Sequence, residues 1–136
     1  MAGKTVMDAV EARLAANWTH TPIFGFNEEG DTPKDGAAFL TVQFPVADEQ
    51  QISVGTPGAQ RFRESGGFRL VLSTARGAGI STAMTWAEEL RTLFRAKQFG
   101  GVNTLEASPP FQDDSNTSGN YVVLSIVVAY YADLIG

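Results

Sequence analysis

The sequence predicts an α+β domain, a mostly antiparallel sheet with two main helices packed on one face. Three observations carry this. Thr5 to about Trp18 and Ile80 to Lys97 place apolar residues at helical spacing. Ala38 to Val46 and Gln60 to Thr74 alternate with the period of a strand. Asn120 to Ala132 is dense in β-branched and aromatic residues. The order helix, strands, helix, strands suits helices segregated to one side of a sheet. The length, 136 residues, suits a single domain over residues 1–136.

In the first helix Val6, Val10 and Leu14 share a face, and Thr5 is the expected cap, with Asp8 three residues on. Thr21 to Phe26 is a short strand beginning near Pro22, and Asn27 to Gly36 a polar loop. In Ala38 to Val46, Leu40, Val42, Phe44 and Val46 are expected on one face, with Pro45 marking an edge or bulge. Ala47 to Ala59 reads as a loop with a brief extended piece at Ile52 to Val54. In the next segment Phe68, Leu70 and Leu72 oppose Arg69, Val71 and Ser73. Gly66-Gly67 is either a hairpin turn or a bulge in one long strand.

The second helix has Ser81 or Thr82 as candidate cap. Ala83, Trp86, Ala87, Leu90, Leu93 and Phe94 form its apolar stripe. A double glycine, Gly100-Gly101, follows it. Val102 to Ala107 is a strand and Ser108 to Asn116 a loop. The last strand, YVVLSIVVAYY, is apolar on both faces, which predicts helices on one side and another layer or another subunit on the other.

The stretch RFRESGGFRLVLSTARGAG, Arg61 to Gly79, invites comparison with phosphate-binding loops. It contains no GxxxxGK[ST] string. Gly77 and Gly79 begin a GxGxxG pattern, but Thr82 stands at its third glycine, so a turn into the helix is the better reading. The single histidine, His20, beside Trp18 and Pro22, is expected packed at the surface. With no cysteine, disulfides and thiolate metal sites are excluded. Glu28, Glu29, Asp31 and Asp35 lack calcium-loop spacing, and Asp113-Asp114 reads as solvated loop. Ser65, Ser73 and Ser81 have no GxSxG context. No enzyme activity is expected.

Fifteen acids against ten bases give a net charge of −5, which argues against general nucleic-acid binding. No apolar run is long enough to cross a bilayer and no signal segment is evident, so neither membrane insertion nor secretion is expected. Phe62, Phe68, Phe99, Phe111, Tyr121, Tyr130 and Tyr131 exceed what loops and one sheet face need. This surplus reads either as a monomer core or, preferably, as the meeting surface of a homo-oligomer.

The segments MDAVEARLAANW, TVQFPVADEQQISVGTPGAQRFRESGGFRLVLSTARGAG, TAMTWAEELRTLFRAKQFGG, NTLEASPP and NYVVLSIVVAYY cover nearly the whole chain. In this order they resemble the tail-terminator proteins of long-tailed bacteriophages, minor tail proteins that cap the tail tube at its head-proximal end. The resemblance implies an α+β subunit of a virion ring, a hexamer, assembled in the host cytoplasm. Its implied partners are its own copies, the tail tube protein and a head-completion or connector protein. DNA would pass through the channel without specific binding, and neither cofactor nor reaction is implied. The turn DEQQ, Asp48 to Gln51, departs from the pattern. Asp48 to Gly67 is the candidate segment for reaching a neighbour or the tube. Arg61, Phe62, Arg63, Phe68, Arg69 and Arg76 are the candidate interface residues, with Arg61 and Arg63 pairing acids across the contact. The alternative for these arginines is a solvated strand face. Two other readings stay open: a different ring protein of the neck, and a small-ligand domain built on Trp18, His20 and the Gly77 turn.

Overall fold

The computed structural model describes residues 2–24, 38–55, 57–75, 80–112 and 121–135. Helix α1 spans Lys4–Asn17 and α2 spans Ile80–Phe94. The strands are β1 (Ile23–Phe24), β2 (Phe39–Gln51), β3 (Arg61–Ala75), β4 (Gln98–Phe99), β5 (Val102–Ala107), β6 (Phe111–Gln112) and β7 (Tyr121–Ile135). They form one sheet in the order β1-β2-β3-β7-β5-β4, with β6 beside β7. All pairings are antiparallel except β1 with β2, which is parallel. The long central strands β3 and β7 pair along their whole length, from Arg61↔Ile135 to Ala75↔Tyr121.

Both helices pack on one face of the sheet, as the sequence predicts. Val6, Val10 and Leu14 of α1 and Ala83, Ala87, Leu90 and Phe94 of α2 share a core with Leu40, Val42, Phe44, Phe68, Leu70, Leu72, Ile126 and Val128. On the opposite face Val71, Val123 and Ser125 are also buried. Trp86 and Leu93, expected in the buried stripe, are half-buried at its flank. There Trp86 meets Trp18 edge-on, ring centroids 6.3 Å apart.

The helix ends differ from expectation. Gly3, not Thr5, is the cap residue of α1, and no side chain of its own segment caps it. The carboxylate of Glu64 does so from the sheet, accepting the Gly3 N–H at 3.2 Å with each oxygen. The acidic group thus satisfies a free helix amide and meets the positive end of the helix dipole. Helix α2 stops at Phe94 rather than Lys97, because Ala96 turns to φ 51° and its N–H bonds Leu105 O at 2.9 Å. Ser81 and Thr82 lie within its first turn.

The largest departure is in β2, which continues through the segment expected to be a loop, Ala47 to Gln51. Gln43 faces Arg69 and Val46 faces Gly67, so two residues, Phe44 and Pro45, oppose Phe68 alone. This is a bulge, and Pro45 suits it because the position gives up a ladder N–H. The extra residue reverses the alternation: Leu40, Val42 and Phe44 point into the core, but Val46 is 62% exposed. Gly66-Gly67 is therefore no hairpin turn. It sits within one continuous strand, paired with Ala47 and Val46 just past a bulge that belongs to β2. A Cβ on Gly66 would lie 2.2 Å from Val46 O and 3.1 Å from the Tyr130 hydroxyl.

Three smaller corrections follow. β7 runs on to Ile135, and β6 forms where a loop is expected. Gln98–Phe99 pairs with β5 as a short edge strand. In Thr21 to Phe26 the strand is Ile23–Phe24, and the loops at Asn27 to Gly36, around the Gly77 turn and at Asp113-Asp114 lie outside the described residues.

Candidate interaction surface

Past the bulge, β2, β3 and β7 continue together as a three-stranded arm: residues 46–51, 61–67 and 129–135. Every residue from Asp48 to Gln51 is exposed whichever way it points, so neither face of β2 is covered there. Strand alternation sets the arm's two faces. Phe62, Glu64, Gly66 and Tyr130 point to the helix side. Arg61, Arg63, Ser65, Tyr131 and Asp133 point to the other.

The helix side of the arm is tied to the core by Glu64. It is 9% exposed, and besides capping α1 it accepts the Tyr130 hydroxyl at 2.7 Å. Gly66 faces Tyr130 across the ladder, and the absence of a side chain there lets the phenol lie flat and reach Glu64. Burial first, then the hydrogen bond and charge of Glu64, push the Tyr130 pKa well above its ordinary value.

On the other side Arg63 forks onto Asp133, Nε to Oδ1 at 2.8 Å and Nη2 to Oδ2 at 3.2 Å. Its guanidinium lies 4.6 Å from the centre of the Tyr131 ring. Hydrogen bonds from Arg63 are the main cause that holds the Asp133 carboxyl below its ordinary range; burial opposes them, and the charges of Arg63 and then Arg61 add to the lowering. Within its own chain Arg63 thus already has an acid partner, Asp133.

The other candidate residues separate. Arg61 is exposed at the start of β3, with its backbone N–H donating to Ser53 Oγ at 2.7 Å. Phe62 is half-buried opposite Leu134, and Arg69 is half-buried on the outer face opposite Gln43 and Val127. Phe68 is fully buried, 5.2 Å from the Phe94 ring and 6.1 Å from Tyr130, so it holds the core and has no surface to offer a neighbour. Arg76 lies outside the described residues. Of the aromatic surplus, Phe68 and Tyr130 are spent in the core and Phe99 packs against it, while Phe111 stays 40% exposed.

Three exposed apolar residues escape the sequence reading: Val54 at 95%, Ile135 at 72% and Val46 at 62%. Val54 stands at the hairpin tip between β2 and β3. No periodicity marks it, since it sits alone between serine and glycine. Val46 is expected on the inner face by simple alternation, and the bulge that Pro45 marks turns it outward.

A second feature lies between the helices. Asn17, Trp18, Met84, Glu88, Glu89 and Leu93 line an open groove of about 790 Å³. Beside it His20 stacks on Trp86 at 5.1 Å and meets Glu89 through Nε2 at 2.7 Å. His20 is thus packed at the surface, as its neighbours in sequence suggest. Glu88 is bridged by Arg91 at 2.9 Å. Among the described residues no three His, Asp or Glu side chains gather as a metal site, and no helix is long and apolar enough to cross a membrane.

A solved protein chain aligns with all of this chain and 99% of its own length, at 22% identity and a TM-score of 0.61, which establishes a shared fold. No curated protein matches the sequence. A family model described as phage tail terminator protein matches residues 5–130, from the first turn of α1 to Tyr130 of the arm. By this match the chain belongs to the phage tail terminator protein family, structural components of the phage tail.

Proposed function

We propose that the protein forms a ring, a hexamer, at the head-proximal end of the tail tube, where it stops tube polymerisation and presents the surface that joins tail to head. The observation that carries this reading is the family match over residues 5–130, which takes in both helices and nearly all of the sheet. In this reading the subunit assembles in the host cytoplasm and works through interfaces alone, with its own copies, the tube protein and a head-completion protein. No reaction and no cofactor enters it. The exposed arm supports it by offering strand faces and an apolar tip for subunit contacts. The net charge of −5 supports passage of DNA without adhesion, since like charges repel.

The test is electron microscopy of lysates from phage whose copy of this gene carries a stop codon. The proposal predicts headless tails of irregular, excessive length, restored to uniform length by the gene supplied in trans. Tails of normal length that merely fail to join heads would instead assign the chain to head completion.

A further inference from the structure

We infer that the β2–β3 hairpin tip of one subunit seats in the α1–α2 groove of the next copy of this chain. The inference rests on the ring reading and names the two surfaces that make the ring.

The tip is built to present one apolar side chain. Ile52 N–H donates to Arg61 O at 2.9 Å, and Arg61 N–H to Ser53 Oγ at 2.7 Å. The Gln51 side-chain amide donates to Ser53 O at 3.0 Å and to the Gln60 side-chain oxygen, and Gln60 donates to Gly55 O at 3.1 Å. These bonds fix the loop while Val54 stays 95% exposed and Ile52 43% exposed beside it. A loop ordered in advance gives up little entropy when it docks.

The groove has the complementary chemistry. Trp18, Met84 and Leu93 provide an apolar floor, and Glu88 and Glu89 an acidic rim. Arg61, exposed at the base of the tip, supplies the opposite charge.

The tip cannot fill its own groove. Helix α1 begins at Gly3 beside Glu64 of the arm, and its 14 residues carry Asn17 roughly 20 Å away at about 1.5 Å each, to where Trp18 contacts Trp86 midway along α2. The fifteen residues of β3 span roughly 50 Å at about 3.4 Å each. Tip and groove are different surfaces in opposite halves of the molecule. Their contact is therefore head-to-tail, the kind that closes into a ring when its rotation divides a full turn.

The cysteine-free chain allows a direct test. Val54→Cys is paired with Thr85→Cys, and separately with Asn17→Cys, on the two rims of the groove. All three positions are exposed, so the variants should fold. Each double variant is oxidised alone and with purified tail tubes, and its mass is followed by light scattering. The expected result is a disulfide-linked ladder ending in a closed oligomer, with Val54→Cys alone giving no ladder. A disulfide requires Cα atoms within about 7 Å, so the ladder reports direct contact. Oligomers that form without cross-linking at either rim would overturn this inference and leave the ring reading standing. A strict monomer under both conditions would overturn both.

Discussion

On one side of Pro45, strands β2, β3 and β7 bury Leu40, Val42, Phe68, Leu70, Ile126 and Val128 under two helices. On the other side the same strands expose Val46, carry Arg63 and Asp133 at the surface, and end in a hairpin with Val54 in solvent. One sheet thus makes two regions with different physics. The first is held by apolar burial and is insensitive to charge. The second is held by the ladder, by Tyr130 and Ala132 reaching back into the core, by Glu64 anchoring it to α1, and by an ion pair that water screens. The difference teaches that one set of strands can be covered along one length and open to solvent along the next, with the bulge in β2 at the division.

The core half gives the largest expected effects. Leu90 is fully buried, so Leu90→Asp places an unpaired charge in the core and should leave no cooperative melting transition by circular dichroism. Phe68→Ala should cost about 3–5 kcal/mol in denaturant titration. A folded, soluble Leu90→Asp protein would refute the placement of α2.

At the division itself, Gly66→Ala drives a Cβ toward Val46 O and should cost about 1–3 kcal/mol. Gly67→Ala meets only ordinary contacts at 3.5 and 3.7 Å and should be near neutral. Equal losses at the two glycines, read from their chemical denaturation midpoints, would mean the bulge is misplaced.

The anchor gives the next effect. Glu64→Leu leaves the Tyr130 hydroxyl and the Gly3 amide without their acceptor and should cost about 1–3 kcal/mol. The pH dependence follows from Tyr130. Its pKa is raised in the folded state, so its contribution is fully present below the ordinary phenol value of about 10 and is lost as pH rises above it. Melting temperature should therefore fall more steeply above about pH 10 in the parent than in Tyr130→Phe. Parallel curves would remove Tyr130 from the account.

The smallest effect is at the surface pair. Asp133 is lowered in the folded state, so its contribution is present above the ordinary carboxylate range and disappears as pH falls through the lowered value. Both partners are open to solvent, and Arg63→Ala should barely change the melting temperature.

The same division explains what the sequence made legible. Helical spacing located both helices, and alternation located Leu40 to Phe44 and Phe68 to Leu72, because burial on one face imposes those periods. The β2 part of the arm was hidden because its residues answer to no buried face. Asp48 to Gln51 is polar throughout and reads as a loop, and its strand exists only through pairing with Phe62 to Ser65. No local pattern marks Glu64, because its partners, Gly3 and Tyr130, stand 61 and 66 positions away. Arg61 and Arg63 lie on the outer face of the arm, while Phe68, only five residues beyond Arg63, belongs to the core.

The central claim is that this chain caps one end of a tail tube. The most direct measurement is immunogold electron microscopy of intact phage and of detached tails, with antibody raised against the purified protein. The account predicts label on detached tails at the head-proximal end only, one cluster per tail. Label along the tube, or at the distal tip, would contradict it.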